Sequence, residues 1–87
     1  MKIKCSIARG MFTFDRIVRV ALQGDRFIEA VVSEDSVEPK TLPAYGEIVD
    51  GWVEVMEISA DKNSFLLEFY GVGLATGPRF RYPKEIG

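Results

Sequence analysis

Cys5 is the only thiol in this chain, and no histidine stands anywhere to activate it or any of the serines and threonines. A side-chain nucleophile needs a neighbouring base, a lowered pKa or a metal, so covalent catalysis is not indicated. Cys5 alternates with Ile3 and Ile7, and free cysteine packs as a small hydrophobe; a buried structural thiol is expected. Glu34, Asp35 and Glu38 offer oxygens to a divalent cation, yet calcium loops set acids at alternating positions about a central glycine. This segment lacks that glycine, so surface acids beside a helical turn are the better reading. The run Gly71-Val72-Gly73-Leu74-Ala75-Thr76-Gly77 has the look of a phosphate cradle. The dinucleotide fingerprint has other spacing and opens a helix inside a strand–helix–strand unit, whereas here the P-loop lysine is absent and Pro78 with a basic strand follows. Flexible turns are expected there. The chain is read as no enzyme, with no metal and no cofactor.

Two constellations remain. In Arg79-Phe80-Arg81-Tyr82 two guanidinium groups interleave with two aromatics, the composition of surfaces that stack bases and hold phosphates. Strand alternation separates them, with the aromatics in the core and the arginines in water. Lys2, Lys4 and Arg9 would extend a basic surface with Arg79 and Arg81 if the first and last strands pair. Against this, residues 29–57 hold eight acids and one base, Lys40, and the net charge is −2, whereas nucleic-acid binders are basic. The second constellation is the ribbon from Ile48 to Tyr70. Val53, Val55, Phe65, Leu67 and Phe69 fall on one face, while Trp52, Met56, Ile58, Leu66 and Tyr70 fall on the other, diluted by Glu54 and Glu68. Monomers rarely expose apolar patches above a few hundred Å², so water is expected to be kept from both faces. The cover comes from the same chain, a second copy or another protein. If Trp52, Met56 and Leu66 stood open in a lone chain, this argument for an interface would fall.

The elements that position these groups are strands, because apolar residues repeat with period two between turn signals. The first covers about residues 1–8 and ends at Arg9-Gly10. A second run covers about 12–22, interrupted by Arg16 and Arg19, and a third runs from Arg26 to Val32. A two-residue loop at Gly24-Asp25 would put Glu29 beside Val18 and Val20, and an unpaired buried carboxylate is costly. A three-residue loop, Gln23 to Asp25, pairs Leu22 with Arg26 instead. It joins Val18 and Val20 to Ile28, Ala30 and Val32, and sets Arg19 opposite Glu29 on the wet face, a mildly favourable pair. A one-residue slip moves every side chain to the other face, so the second register is expected.

Ser33 to Ser36 predicts one capped helical turn, kept short because Pro39 biases Glu38 away from helix. Strands from about Ile48 to Ser59 and Ser64 to Tyr70 flank Asp61-Lys62-Asn63, with Asn63 expected in the left-handed conformation. A last strand covers Arg79 to Tyr82.

One small domain, residues 1–87, is expected. A single sheet could not hide 47% apolar residues, so the fold is read as all-β, a small antiparallel barrel of five or six strands, SH3-like or OB-like, with two facing sheets as the alternative. Helix is limited to one turn near 33–38. One cysteine makes no internal disulfide. No run reaches the ~20 apolar residues of a spanning helix, and the alternating N-terminus lacks a signal-peptide core. A cytoplasmic protein without membrane contact is expected. Architecture alone does not give function. The expectation is association with itself or another protein through Trp52, Met56, Ile58, Leu66 and Tyr70. An oligonucleotide-binding barrel using Lys2, Lys4, Arg9, Arg79 and Arg81 is the alternative.

Overall fold

The period-two pattern becomes seven strands in the computed structural model, which describes residues 1–71 and 76–84. They are β1 (Lys2–Arg9), β2 (Asp15–Ala21), β3 (Phe27–Ser33), β4 (Val37–Glu38), β5 (Ile48–Ala60), β6 (Ser64–Tyr70) and β7 (Thr76–Pro83). One 3-10 turn covers Glu34–Ser36, capped by Ser33, whose Oγ accepts from the Asp35 amide at 3.2 Å. The sheet runs β3–β2–β1–β5–β6–β7, with β4 added to β5. Every pairing is antiparallel. The sheet curls into a nearly closed barrel of six strands, its end strand β3 lying against β6 and β7. The all-β antiparallel small barrel is therefore the fold. Among the described residues no helix is long and apolar enough to cross a membrane.

Alternate residues of each strand supply the core: Ile3, Cys5 and Ile7 from β1, Val18 and Val20 from β2, Ala30 and Val32 from β3, Val53 and Val55 from β5, Leu67 and Phe69 from β6. Phe80 and Tyr82 of β7 are buried while Arg79 and Arg81 are exposed, so the basic-aromatic strand splits as alternation requires. Phe69 stacks on Phe80 with centroids 4.7 Å apart.

The β2–β3 hairpin takes the three-residue loop. Leu22 N donates to Arg26 O at 2.9 Å, Val20 faces Ile28 and Arg19 faces Glu29. Gly24 adopts φ 72° at the turn, a conformation open to glycine without strain. In the β5–β6 hairpin no non-glycine residue among those described has positive φ, so Asn63 is not left-handed. The Asp61 carboxylate shapes that turn instead, accepting from the amides of Asn63 and Ser64 at 2.8 Å each. Those amides hold its carboxyl below the usual carboxylate range. Val55 faces Phe69 and Glu57 faces Leu67 as expected, but a bulge between Glu57 and Ser59 shifts the register nearer the turn.

Element bounds differ from expectation in places, and β7 begins at Thr76 rather than at Arg79. Residues 10–14 form a loop, so β2 begins at Asp15 rather than near 12, and Val37–Glu38 pairs with β5 at Val53 and Trp52. Of the turns expected over 71–77, residues 72–75 lie outside those described, while Thr76 and Gly77 already belong to β7.

The long strand β5 joins the two halves. Its first half pairs with β1, from Ala8–Ile48 to Lys2–Glu54, and its second half pairs with β6. At Gly51 a side chain would fall onto the Glu38 carbonyl oxygen and reach within 2.7 Å of Ile7 Cδ1. Gly51→Ala should therefore lower stability by about 1–3 kcal/mol, seen as a reduced urea midpoint. An unchanged midpoint would mean that β4 yields freely.

Candidate functional site

With Ile3, Cys5 and Ile7 turned inward, the other row of β1 faces solvent, and the registers of β2, β3 and β5 align their outward residues with it. One cross-strand row is apolar throughout: Val31 faces Ile17, Ile17 faces Ala8, and Ala8 faces Ile48. Val31 is 50% exposed and Ile48 69% exposed, so nothing in the described chain covers the row's ends. The next row is polar. Glu29 and Arg19 form an ion pair, Nε to Oε1 3.2 Å, and Ser6 and Asp50 continue it. Beyond it stand two aromatics, Phe27 paired with Ala21 and Trp52 paired with Lys4. Each lies near a cation: the Arg19 guanidinium is 4.2 Å from the Phe27 centroid, and Lys4 Nζ is 5.8 Å from that of Trp52. Between them runs a groove of about 570 Å³. Gly51, Cys5, Ser6 and Ala21 contribute to its lining, along with Lys4, Arg19 and Asp50.

The far end of the same strands is held by Arg16, which is 1% exposed. Its guanidinium donates to the carbonyls of Thr13, Asp15 and Lys40 at 2.8, 2.7 and 3.2 Å, and pairs with Glu34 at 3.4 Å. Burying a guanidinium is costly unless hydrogen bonds satisfy it; the two Nη atoms are satisfied, while Nε has no partner among the described residues, and these bonds tie the β1–β2 loop to the segment after the 3-10 turn. Buried Asp15 accepts from the Phe12 amide at 3.0 Å, and the Glu34 amide donates to the Phe14 carbonyl at 2.9 Å. A side chain on Gly10 would fall onto the Asp15 carboxylate, so glycine is required there. The loop so fixed keeps its own large side chains in water. Met11 is 86% exposed, and Phe12 and Phe14 stack in parallel at 5.2 Å while both are exposed.

The residues singled out from the sequence are distributed differently. Trp52, Met56 and Tyr70 are exposed, and Ile58 and Leu66 are half-buried. Cover from within the chain fails for Trp52 and Met56, at 43% and 39% exposure, so the hairpin's second face cannot carry the interface argument by itself. The reason is curvature: β5 wraps one face round the core and turns the other outward. Along that face Glu54 binds the N-terminal amine and Glu68 binds Arg79, dividing the apolar residues.

The basic surface is not assembled as supposed. β1 and β7 do not pair, because β5 and β6 lie between them. Lys2 is held by Glu38, Arg79 by Glu68 and Arg81 by Asp61. Arg9 stacks 4.1 Å from the Tyr45 centroid and donates to the Pro43 carbonyl at 2.9 Å. Lys4 alone of these five lines the groove. Of the acids considered for a cation, Glu34 serves Arg16 and Glu38 serves Lys2. Among the described residues, no three His, Cys, Asp or Glu side chains gather as a metal site.

The exposed row and the loop escaped the sequence reading for separate reasons. Ile17 and Val31 follow from the hairpin register that sets Arg19 against Glu29, so that signal was available. Ile48 required the β1–β5 pairing, which no local pattern announces. Phe12 and Phe14 alternate as strand residues do, and the carbonyls that hold Arg16 have no sequence identity. Comparison with protein-family models, curated proteins and solved structures finds no match to this chain.

Burial pushes the Cys5 thiol up from its ordinary 9.0 to about 12. As pH rises the unfolded thiol releases its proton first. The resulting stability is therefore whole below pH 9 and lost between there and about 12. In the folded protein at mildly alkaline pH, Cys5 should resist iodoacetamide and react only after denaturant is added. Rapid alkylation of the native chain would contradict its burial.

Proposed function

We propose that this is a non-catalytic β domain that works by protein association, with itself in the first instance, through the outer face of β3, β2, β1 and β5. What supports the reading is the exposed row Val31–Ile17–Ala8–Ile48, flanked by the groove between Phe27 and Trp52. Apolar surface of this kind gains about 25 cal/mol per Å² when removed from water, and a contiguous patch marks a contact surface more often than a free one. Trp52, from the set expected at the interface, belongs to this face; Met56, Ile58, Leu66 and Tyr70 lie along the adjoining hairpin. The reading includes a cytoplasmic setting, with which one buried thiol is compatible.

Light scattering from micromolar to millimolar chain concentration should show a species heavier than 9.8 kDa. Ile17→Glu combined with Ile48→Glu should shift it back toward the monomer and leave the chain folded, since both side chains are outside the core, with the melting temperature losing its dependence on chain concentration. A 9.8 kDa species at every concentration would overturn self-association.

An oligonucleotide role draws support only from the groove, where two aromatics stand beside two cations. Three of the five cations expected to serve it are bound to carboxylates. The chain should therefore leave heparin at low salt. Retention that falls steeply with added salt would favour that reading instead.

A further inference from the structure

Arg16, Asp15 and Gly10 are all committed to the shape of a loop that adds nothing to the core. A stiff display of apolar groups in water has a physical use when it meets a surface of fixed shape, because the ordering loss is already met before contact. Among the described residues, the exposed rings of Phe27, Tyr45 and Trp52 each have a cation over them. Phe12 and Phe14 have only each other. The chain also carries a recipient of matching chemistry. The groove presents Lys4 over the face of Trp52 and Arg19 over the face of Phe27, with Asp50 and the small residues Gly51 and Ala21 also in its lining. A cation held over one ring can take a second ring on its other side, and ring edges add to the contact.

The loop cannot reach its own groove. Lys4 lines the groove and Arg9 leads into the loop, five residues along one extended strand, about 17 Å apart. From this we infer that the Phe12–Phe14 pair seats in the Phe27–Trp52 groove of a second copy of this chain. Two copies facing each other with their β1 strands antiparallel place each loop over the partner's groove, a self-complementary two-fold contact. The apolar row lies between the two contacts and is covered with them. This inference rests on the association reading and names its partner and its contacts.

Sedimentation equilibrium of the full chain and two exposed-site variants decides it, with amide NMR spectra verifying that each variant folds. Phe12→Asp/Phe14→Asp removes the knob, and Phe27→Asp/Trp52→Asp removes the groove. Each should weaken the dimer by roughly 30-fold or more, the effect of losing an anchor residue. Mixing the two variants should restore a heterodimer, since the intact loop of one meets the intact groove of the other. Where either change unfolds the chain, Phe14→Ala and Phe27→Ala serve in its place. A parent that dimerises but ignores both changes overturns this pairing and leaves association standing. Variants that each dissociate yet do not complement on mixing overturn it as well. A monomeric parent overturns both readings.

Discussion

The pairing of β1 with the first half of β5 is the constraint on which the architecture hangs. On one side of it β1, β2 and β3 follow one another as a meander; on the other, β5, β6 and β7 do the same. Each meander alone has one apolar face and nothing to set against it. The seven register pairs between Lys2–Glu54 and Ala8–Ile48 turn them into one curling sheet, which buries Ile3, Ile7, Val53 and Val55 together with Leu67 and Phe69. Gly51 shows how close the fit is there, since β4 and Ile7 already occupy the space that a side chain would need.

The same pairing builds the surface of interest. The inner row of β1 is apolar because it faces the core, and its outer row acquires meaning only beside its neighbours. Ala8 is unremarkable in sequence, yet it bridges Ile17 and Ile48 into a continuous strip. Polar and aromatic rows follow along the same strands. A buried guanidinium stiffens the far end. The charged groups of the other hairpin behave differently, for Glu54, Glu68 and Asp61 each bind a cation of the same chain.

Much of the fold was legible where local chemistry and burial agree. The Arg19–Glu29 register follows from turn length, the cost of a buried acid and cross-strand charge, three arguments with one answer. Phe80 and Tyr82 turn inward because nothing competes with strand alternation. The burial of Arg16 is not legible in this way, since its partners are mostly backbone carbonyls, invisible as residue types. Alternation puts Trp52 on the side of β5 opposite Val53 and Val55, but whether that side meets water depends on curvature, and curvature comes from bulges and long-range pairing. The candidate site is therefore only partly legible: the sequence marks Lys4 and Trp52 for separate surfaces, and that they share a groove follows only from the β1–β5 pairing.

Because β5 begins at Ile48, one edge of β1 has no partner until the chain extends past β2, β3 and β4. The nascent β1–β2–β3 sheet meanwhile presents an open strand edge together with its whole apolar inner face. Unpaired edges of that kind recruit neighbouring chains, and late, long-range closure slows folding. The finished barrel hides this exposure, so the edge and the inner face of β1 stay open until the residues from Ile48 onward pair with it.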